Sequence, residues 1–551
     1  MIDPQSIADD VAIITALVEL LGADAVTQAM EKRTFFSTDI SRSGETALAV
    51  IAPATADLVA KAVALCTGAG IAVIPRGGGF SYTGGYLPVS QRSIIIDMRR
   101  LDTIAINRED MLVIVDAGVT WANLYEALKA EGLRTPYFGP MSGYGATVGG
   151  ALSQGSFFLG STQYGQVAES VLAAEVVLAD GSLLRTGSWG GVGGSVNDAS
   201  PFLRNYGPDL TGLFLNDTGA LGFKTRAVLK LIMFPPHQEY ASIAFDEGAA
   251  GIAALSDIAR RGLAAECYLW DPYFVKIMAT ASLGLGEDLK FLAGVARGGS
   301  SLLGGLKNAG RIALAGRSAF AADTFVLNVT IDDFSAAGAS ARLAAVHDIA
   351  AGHGGRAVTP TAPMAMRGTP FINFNAPDRR VPRRNLPVHG LINHSGVQAL
   401  NDRIREAVTV SSEALAALGV ECGVICFAVG AQAVCIEPLV YWEDERQFLH
   451  DRARETSDLA GLADFGAPPP ATIAALDLRN RLAAIFADSD AGHVQIGKSY
   501  PWLATRSPAV ARLAHQLKDA LDPKGLVNPG SLGFKNMTDL RKYDINSDMI
   551  A

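Results

Sequence analysis

Apolar positions change their period along this chain. Ala47–Ala52 is a continuous apolar run, Ala56–Thr67 is apolar at helical spacing, and Ala72–Pro75 is continuous again. Short runs bounded by Pro and Gly read as buried strands, and the helix between them completes a βαβ unit. More strands are expected in "RSIIIDMRRL" and "MLVIVDAGVTWANLYEALKAEGL". Val171–Leu178, the pair Asp180-Gly181 and a returning run form a hairpin pattern closed by a tight turn. A further strand in "GFKTRAVLKLIMFPP" stops at Pro235-Pro236. From residue 237 to about 490, Ala-rich helical stretches alternate with long β-rich runs such as "TFVLNVTI" and "GVICFAVGAQAVCIEPLVYW". Residues 366–390 are rich in Pro and Arg and read as a long loop feeding a strand. Within "LPVHGLINHSG", strand alternation puts Asn385, Pro387 and His389 on one face.

Composition narrows the class. At 551 residues the chain exceeds one core, and 49% hydrophobic against 18% charged residues implies large buried interiors. A net charge of −9 leaves no basic stripe for a nucleic acid. Cys66, Cys267, Cys422, Cys426 and Cys435 lie in apolar runs without a C-x-x-C pair, so buried reduced thiols and a cytoplasmic location are expected. The N-terminal stretch reads as an amphipathic helix carrying Asp3, Asp9 and Asp10 and no basic segment, so no signal peptide is expected. Residues 135–168 hold no charge, but their Gly, Ser, Thr and Gln content is wrong for a membrane span.

The stretch "VIPRGGGFSYTGGYLP", residues 73–88, carries the first chemical signal. Three successive glycines cost chain entropy and suit a loop whose N–H groups must meet an anion at close range. The spacing fits neither G-x-G-x-x-G nor the P-loop, which disfavours an NAD-binding dehydrogenase. Small residues cluster again at Gly139–Gly155, Gly207–Gly222 and Asn528–Gly530. One long ligand crossed by several loops would explain all four clusters.

In order, "PRGGGFSYTGG", "GPMSGYGATVGGALSQG", "QYGQVAESVLAAEVVLADGSLLRTG", "GPDLTGLFLNDTGALGFKTRAVLKL" and "LDPKGLVNPGSL" resemble the FAD-binding domain of the vanillyl-alcohol oxidase / p-cresol methylhydroxylase (PCMH) flavoprotein family. The resemblance covers residues 44–236 and the C-terminal end, and 237–490 more loosely. It implies an α+β protein with a helical segment (1–43), a two-subdomain PCMH-type FAD-binding domain (44–236), and an α+β cap domain (237–490). The cap's antiparallel sheet would lie over the flavin, and residues 491–551 would return to the FAD domain. It further implies that Pro75, Arg76, Gly77, Gly78, Gly79, Phe80 and Ser81 surround the pyrophosphate, with Tyr82 nearby. Pro140, Thr147, Val148, Gly149 and Gly150 would supply a second wall. Thr218, Gly219, Leu221, Gly222 and Phe223 would close over the adenosine end, and Asn528 would join from the C-terminal end. Phe80 stands where some members tether FAD through histidine, and Asn385 near the tether point of others, so non-covalent FAD is expected. "AGHVQIGKSYPW" replaces the Glu-His-Gly motif of the metal-binding hydroxy-acid dehydrogenase members, so no metal is expected.

Oxidation at a C–H bond needs a hydride acceptor, a base for the hydroxyl and positive potential near developing charge. The candidates are His389, His493, Lys498, Gln495 and Tyr500, with Arg367 as a carboxylate clamp. Tyr144 and Tyr164 read as cofactor packing, His347 and His353 as helix-end surface residues, and Glu437 as a buried pair partner or a substrate contact. The leading expectation is an FAD-dependent oxidase or dehydrogenase acting on the hydroxyl-bearing or benzylic carbon of a small organic alcohol. Electrons would pass to oxygen, a quinone or a cytochrome, and a homodimer is the expected assembly. The alternatives are a cytochrome- or quinone-linked D-2-hydroxy-acid dehydrogenase and a flavin-binding protein without turnover.

Overall fold

A computed structural model describes residues 4–191, 200–280, 324–371, 383–443 and 469–534. The first sheet contains β1 (Val26–Thr27), β2 (Ala49–Ile51), β3 (Ala72–Arg76) and β4 (Ser93–Asp97) in the order β1-β2-β4-β3. β2, β4 and β3 are parallel and continuously apolar because elements cover both their faces. Thr55 caps the helix Ala56–Gly68 between β2 and β3 by accepting from Leu58 N. The C-terminal segment seals the free edge of β3: Val73 N donates to Leu526 O, and Asn528 N to Val73 O.

Five strands form a second, antiparallel sheet: β5 (Ile104–Asn107), β6 (Leu112–Asp116), β8 (Val171–Val177), β9 (Leu183–Arg185) and β10 (Phe223–Lys230), in the order β5-β6-β10-β8-β9. A small ladder joins β7 (Leu133–Arg134) to β11 (Ile232–Met233).

The third sheet holds β12 (His237–Phe245), β13 (Glu266–Trp270), β14 (Phe325–Asp333), β15 (Arg356–Val358), β16 (Arg383–Pro387), β17 (Gly390–Asn393), β18 (Glu421–Val429) and β19 (Ala433–Glu443). Its order is β15-β12-β14-β13-β18-β19-β16, and β17 also pairs with β19. Alternation sorts its two faces. Leu269, Leu327, Val329, Cys426, Ile436 and Val440 pack under the helices Gly248–Arg260, Ala336–Gly352, Val397–Val410 and Pro469–Asp488. Tyr268, Trp270, Ile425, Phe427, Cys435 and Leu439 face the other way, onto Phe138, Phe157 and Phe158 of the preceding domain.

The expected α+β class and antiparallel cap sheet are therefore present. The loop expected over 366–390 is too long: Thr361–Gly368 is helical, and Arg383–Pro387 is already in the sheet. Residues 372–382 of that stretch lie outside the described residues. His347 sits within the helix Ala336–Gly352 rather than at its end, and His353 caps that helix and pairs with Asp257. None of the five thiols is paired; Cys422 is half-buried and the rest are buried. Among the described residues, no helix is long and apolar enough to cross a membrane.

Candidate active site

Four small-residue clusters meet where β3 ends. The N–H groups of Gly77, Gly78, Gly79, Phe80 and Ser81 find no acceptor among the described residues, so a row of donors is left in one loop. The loop is glycine-rich partly for a reason the sequence did not show. A Cβ on Gly78 would lie 1.8 Å from Gly145 O, and one on Gly77 would lie 2.3 Å from Thr147 Oγ1. Loop therefore packs on loop through bare backbone. Phe80 meets Tyr144 edge-on at 5.2 Å, and Ser81 Oγ is bonded to Thr83 Oγ1.

The second wall differs from expectation. Val148, Gly149 and Gly150 begin the helix Val148–Gln154, but their N–H groups are consumed by Val119 O, Ala117 O and Thr147 Oγ1. Val148 is core, and Gly149 is small because Ala117 lies against it. These residues position the wall and offer no amides to a ligand. Pro140 makes the turn before this wall, accepting from Gly143 N. The Arg76 guanidinium is buried 4.4 Å from the centroid of Phe36 and 5.0 Å from that of Tyr86, with Nε and Nη1 left without a partner.

At the adenosine side, Thr218 N donates to Ser153 O, and Asn528 Nδ2 donates to Gly85 O and Thr218 O. Asn528 Oδ1 is buried without a partner, and Gly219 packs on the Pro75 ring. Leu221, Gly222 and Phe223 turn away from this junction: Leu221 and Phe223 are buried in core, and Gly222 abuts Val176. Their assignment to the cofactor is withdrawn. Free amides in the Gly77–Ser81 loop, an orphaned Asn528 oxygen and a backbone-to-backbone approach fit a dinucleotide pyrophosphate.

The cap face supplies the reactive side chains. Pro387 pairs with Leu439 and Gly390 with Ile436, so His389 stands opposite Glu437. Both point toward the FAD domain, as alternation predicted for His389. Its Nε2 lies 2.8 Å from Tyr82 Oη, which the glycine loop delivers, and 3.5 Å from Glu437 Oε1. Phe157 meets the imidazole edge-on at 6.0 Å. The Tyr82 side chain is also hydrogen-bonded to Gln495, and burial raises its phenol well above the ordinary range.

Residues 492–500 cover the strand edge behind His389. His389 N donates to Tyr500 Oη at 3.3 Å, and His493 Nδ1 donates to His389 O at 3.1 Å. The His493 ring stacks on Tyr500 with centroids 4.0 Å apart, and its Nε2 is buried and unpartnered. Burial pushes the His493 pKa down to about 4, so this imidazole is neutral. His493 and Tyr500 thus fix the backbone of His389, and Gln495 fixes Tyr82.

Two candidates leave the reacting centre. Arg367 is not a clamp for substrate: its guanidinium is buried between Glu266 and Asp332, and Asp332 also holds Arg134. Lys498 is half-buried, with its Nζ on Leu87 O and its N–H on Thr83 O, where burial and Arg42 push its pKa down to about 7. It ties the returning chain to the glycine loop. Tyr82 was undervalued by sequence reasoning, and its partner lies 307 residues away.

Comparison with known proteins bears on the cradle. Residues 47–187 match the family model of an FAD binding domain. The structure superposes on p-cresol methylhydroxylase with substrate bound at a TM-score of 0.69 and 19% identity, over 96% of this chain and 97% of that one. The fold is PCMH-type, and the cofactor is FAD. By sequence, this flavoprotein is 29% identical over 244 residues to the glycolate oxidase subunit GlcD of Bacillus subtilis (strain 168), covering 44% of this chain and 49% of that protein. It is 26% identical over 233 residues to D-lactate dehydrogenase [cytochrome] 1, mitochondrial, of Saccharomyces cerevisiae, covering 42% and 37%. The matches therefore span about half of the first relative and little more than a third of the second. Among the described residues, no group of His, Cys, Asp and Glu is placed to hold a metal ion.

Proposed function

We propose that this flavoprotein is an oxidoreductase acting on a hydroxyl-bearing carbon of a small organic molecule. The observation that carries the reading is the contact of Tyr82 Oη with His389 Nε2 at 2.8 Å, with Glu437 beside it. It joins the glycine loop to the cap at a buried point where a substrate would meet both. Bound FAD supplies the two-electron acceptor that takes the hydride from the carbon. The protein must then take the hydroxyl proton as the carbonyl forms. Tyr82 Oη receives that proton while passing its own to His389 Nε2, and Glu437 stabilises the resulting imidazolium. The glycolate and D-lactate in the relatives' names support oxidation at CH–OH. Neither the benzylic half of the sequence expectation nor the identity of the acceptor, whether oxygen, quinone or cytochrome, is needed for it.

The test is anaerobic mixing of the yellow protein with a panel of alcohols and hydroxy acids. At least one should bleach the flavin; a protein that no member bleaches would be a flavin carrier. Phe80 and Asn385 offer no group that could attach FAD, so acid precipitation should leave the flavin in the supernatant. Colour on the denatured chain would contradict non-covalent binding.

A further inference from the structure

We infer that Arg76 is a buried charge kept without a carboxylate partner for the FAD pyrophosphate to balance, so that loading the cofactor and stabilising the fold are coupled through one side chain. The inference rests on the FAD cradle alone, and its failure would leave the reading of Tyr82 and His389 standing.

Arg76 is the last residue of β3, where the chain enters the glycine loop. It is 2% exposed, and its Nε and Nη1 have no hydrogen-bond partner. Burial, the largest influence on the group, lowers its pKa. A guanidinium nevertheless stays protonated. The neighbouring carboxylates are engaged elsewhere. Asp97, opposite Arg76 in the β3–β4 ladder, is held by Arg99 through both oxygens, at 2.8 and 2.7 Å. Asp39 accepts from the N–H groups of Ser41, Arg42 and Gly84. Arg134 and Arg367 are buried too, but both are paired with carboxylates. Arg76 follows a different rule.

Three aromatic rings stand where a carboxylate would. The guanidinium carbon lies 5.3 Å from the centroid of Phe35, 4.4 Å from that of Phe36 and 5.0 Å from that of Tyr86. Ring faces attract a cation through their quadrupoles but carry no net charge, so they fix the guanidinium and leave its field uncancelled. That field falls on the loop. Nη2 occupies the space a Cβ on Gly79 would need, and Tyr86 Oη donates to Gly79 O at 2.9 Å. The same loop carries the free N–H groups of Gly77, Gly78 and Gly79. A buried cation without a counter-charge destabilises the fold that contains it. A dianionic pyrophosphate relieves that cost as it binds, which stabilises the loaded protein beyond the contacts it makes.

The test compares wild type, Arg76→Met and Arg99→Met as full chains. Flavin fluorescence on dilution of the holoprotein gives the FAD dissociation constant, and melting temperature is read at limiting and at saturating FAD. Arg76→Met should raise the dissociation constant at least ~10-fold, because the pyrophosphate loses its buried counter-charge. At limiting FAD it should melt no earlier than wild type, since the unpaired charge is gone as well. Arg99 is 47% exposed at its side chain and lies outside the loop. Arg99→Met leaves Asp97 to act on Arg76 and should weaken FAD binding by about threefold or more. Earlier melting of Arg76→Met at limiting FAD would make the residue a structural brace and overturn the inference. So would an unchanged dissociation constant in either variant.

Discussion

Two buried polar clusters sit on one face of the cap sheet, and they are built on opposite rules. On β14 and β13, Asp332 and Glu266 meet Arg367 and Arg134 with N–O distances of 2.7–2.9 Å, and Gly160 N donates to Glu266 as well. Across the aromatic band, Glu437 meets His389 at 3.5 Å, Tyr82 reaches in from the glycine loop, and His493 Nε2 has no partner. The first cluster matches two carboxylates with two guanidiniums, leaves Arg134 Nε and Nη2 buried without a partner, and joins cap to FAD domain. The second leaves proton-carrying groups with unspent hydrogen-bonding capacity. The first holds its charges in matched ion pairs, while the second brings together a phenol, an imidazole and a carboxylate that can exchange protons.

The contrast can be broken at either end. The largest effect is expected from Arg367→Met, which leaves Glu266 and Asp332 with one guanidinium between them. Urea denaturation should show a loss of about 3–5 kcal/mol; wild-type stability would mean that the cluster is no joint. Next, Tyr82→Phe should retain FAD and lower the rate of anaerobic flavin reduction by ~10²-fold; an unaltered rate would remove the phenol from the proton path. Gly78→Ala should cost about 1–3 kcal/mol and weaken FAD retention, since its Cβ would collide with Gly145 O. Gly150→Ala, with only Thr147 Oγ1 nearby at 3.2 Å, should lie within about 0.5 kcal/mol of wild type. Equal behaviour of the two glycine variants would refute the packing of loop on loop.

A further effect concerns acid. His493 is neutral in the fold, with its pKa lowered from 6.5 to about 4. The unfolded chain takes up this proton first as pH falls, so stability is lost between those values and the loss levels off below about 4. His493→Gln has no such proton, and its melting temperature should fall less between pH 7 and pH 5. An unchanged slope would show that His493 is not held neutral.

The cradle was legible because bare backbone must be written as glycine, and the strand alternation that aimed His389 at the FAD domain is equally local. What was misread depended on distant partners. Val148, Gly149 and Gly150 look like free helix-start amides until Val119 and Ala117 bring their carbonyls from another segment. Arg367 looks like a substrate clamp until β13 and β14 place two carboxylates around it. That Glu437 stands opposite His389 follows only from the pairing of β16 and β17 with β19, which no local signal shows.

The central claim is that His389 takes a proton during substrate oxidation while the Arg367 cluster only holds the domains together. Its most direct test is the anaerobic flavin-reduction rate of His389→Ala, measured with the best-bleaching compound of the panel beside FAD content and melting temperature. The account predicts near-normal FAD content and melting with a rate lower by ~10²-fold or more. An undiminished rate in a protein that melts early would make His389 a structural residue and contradict the account.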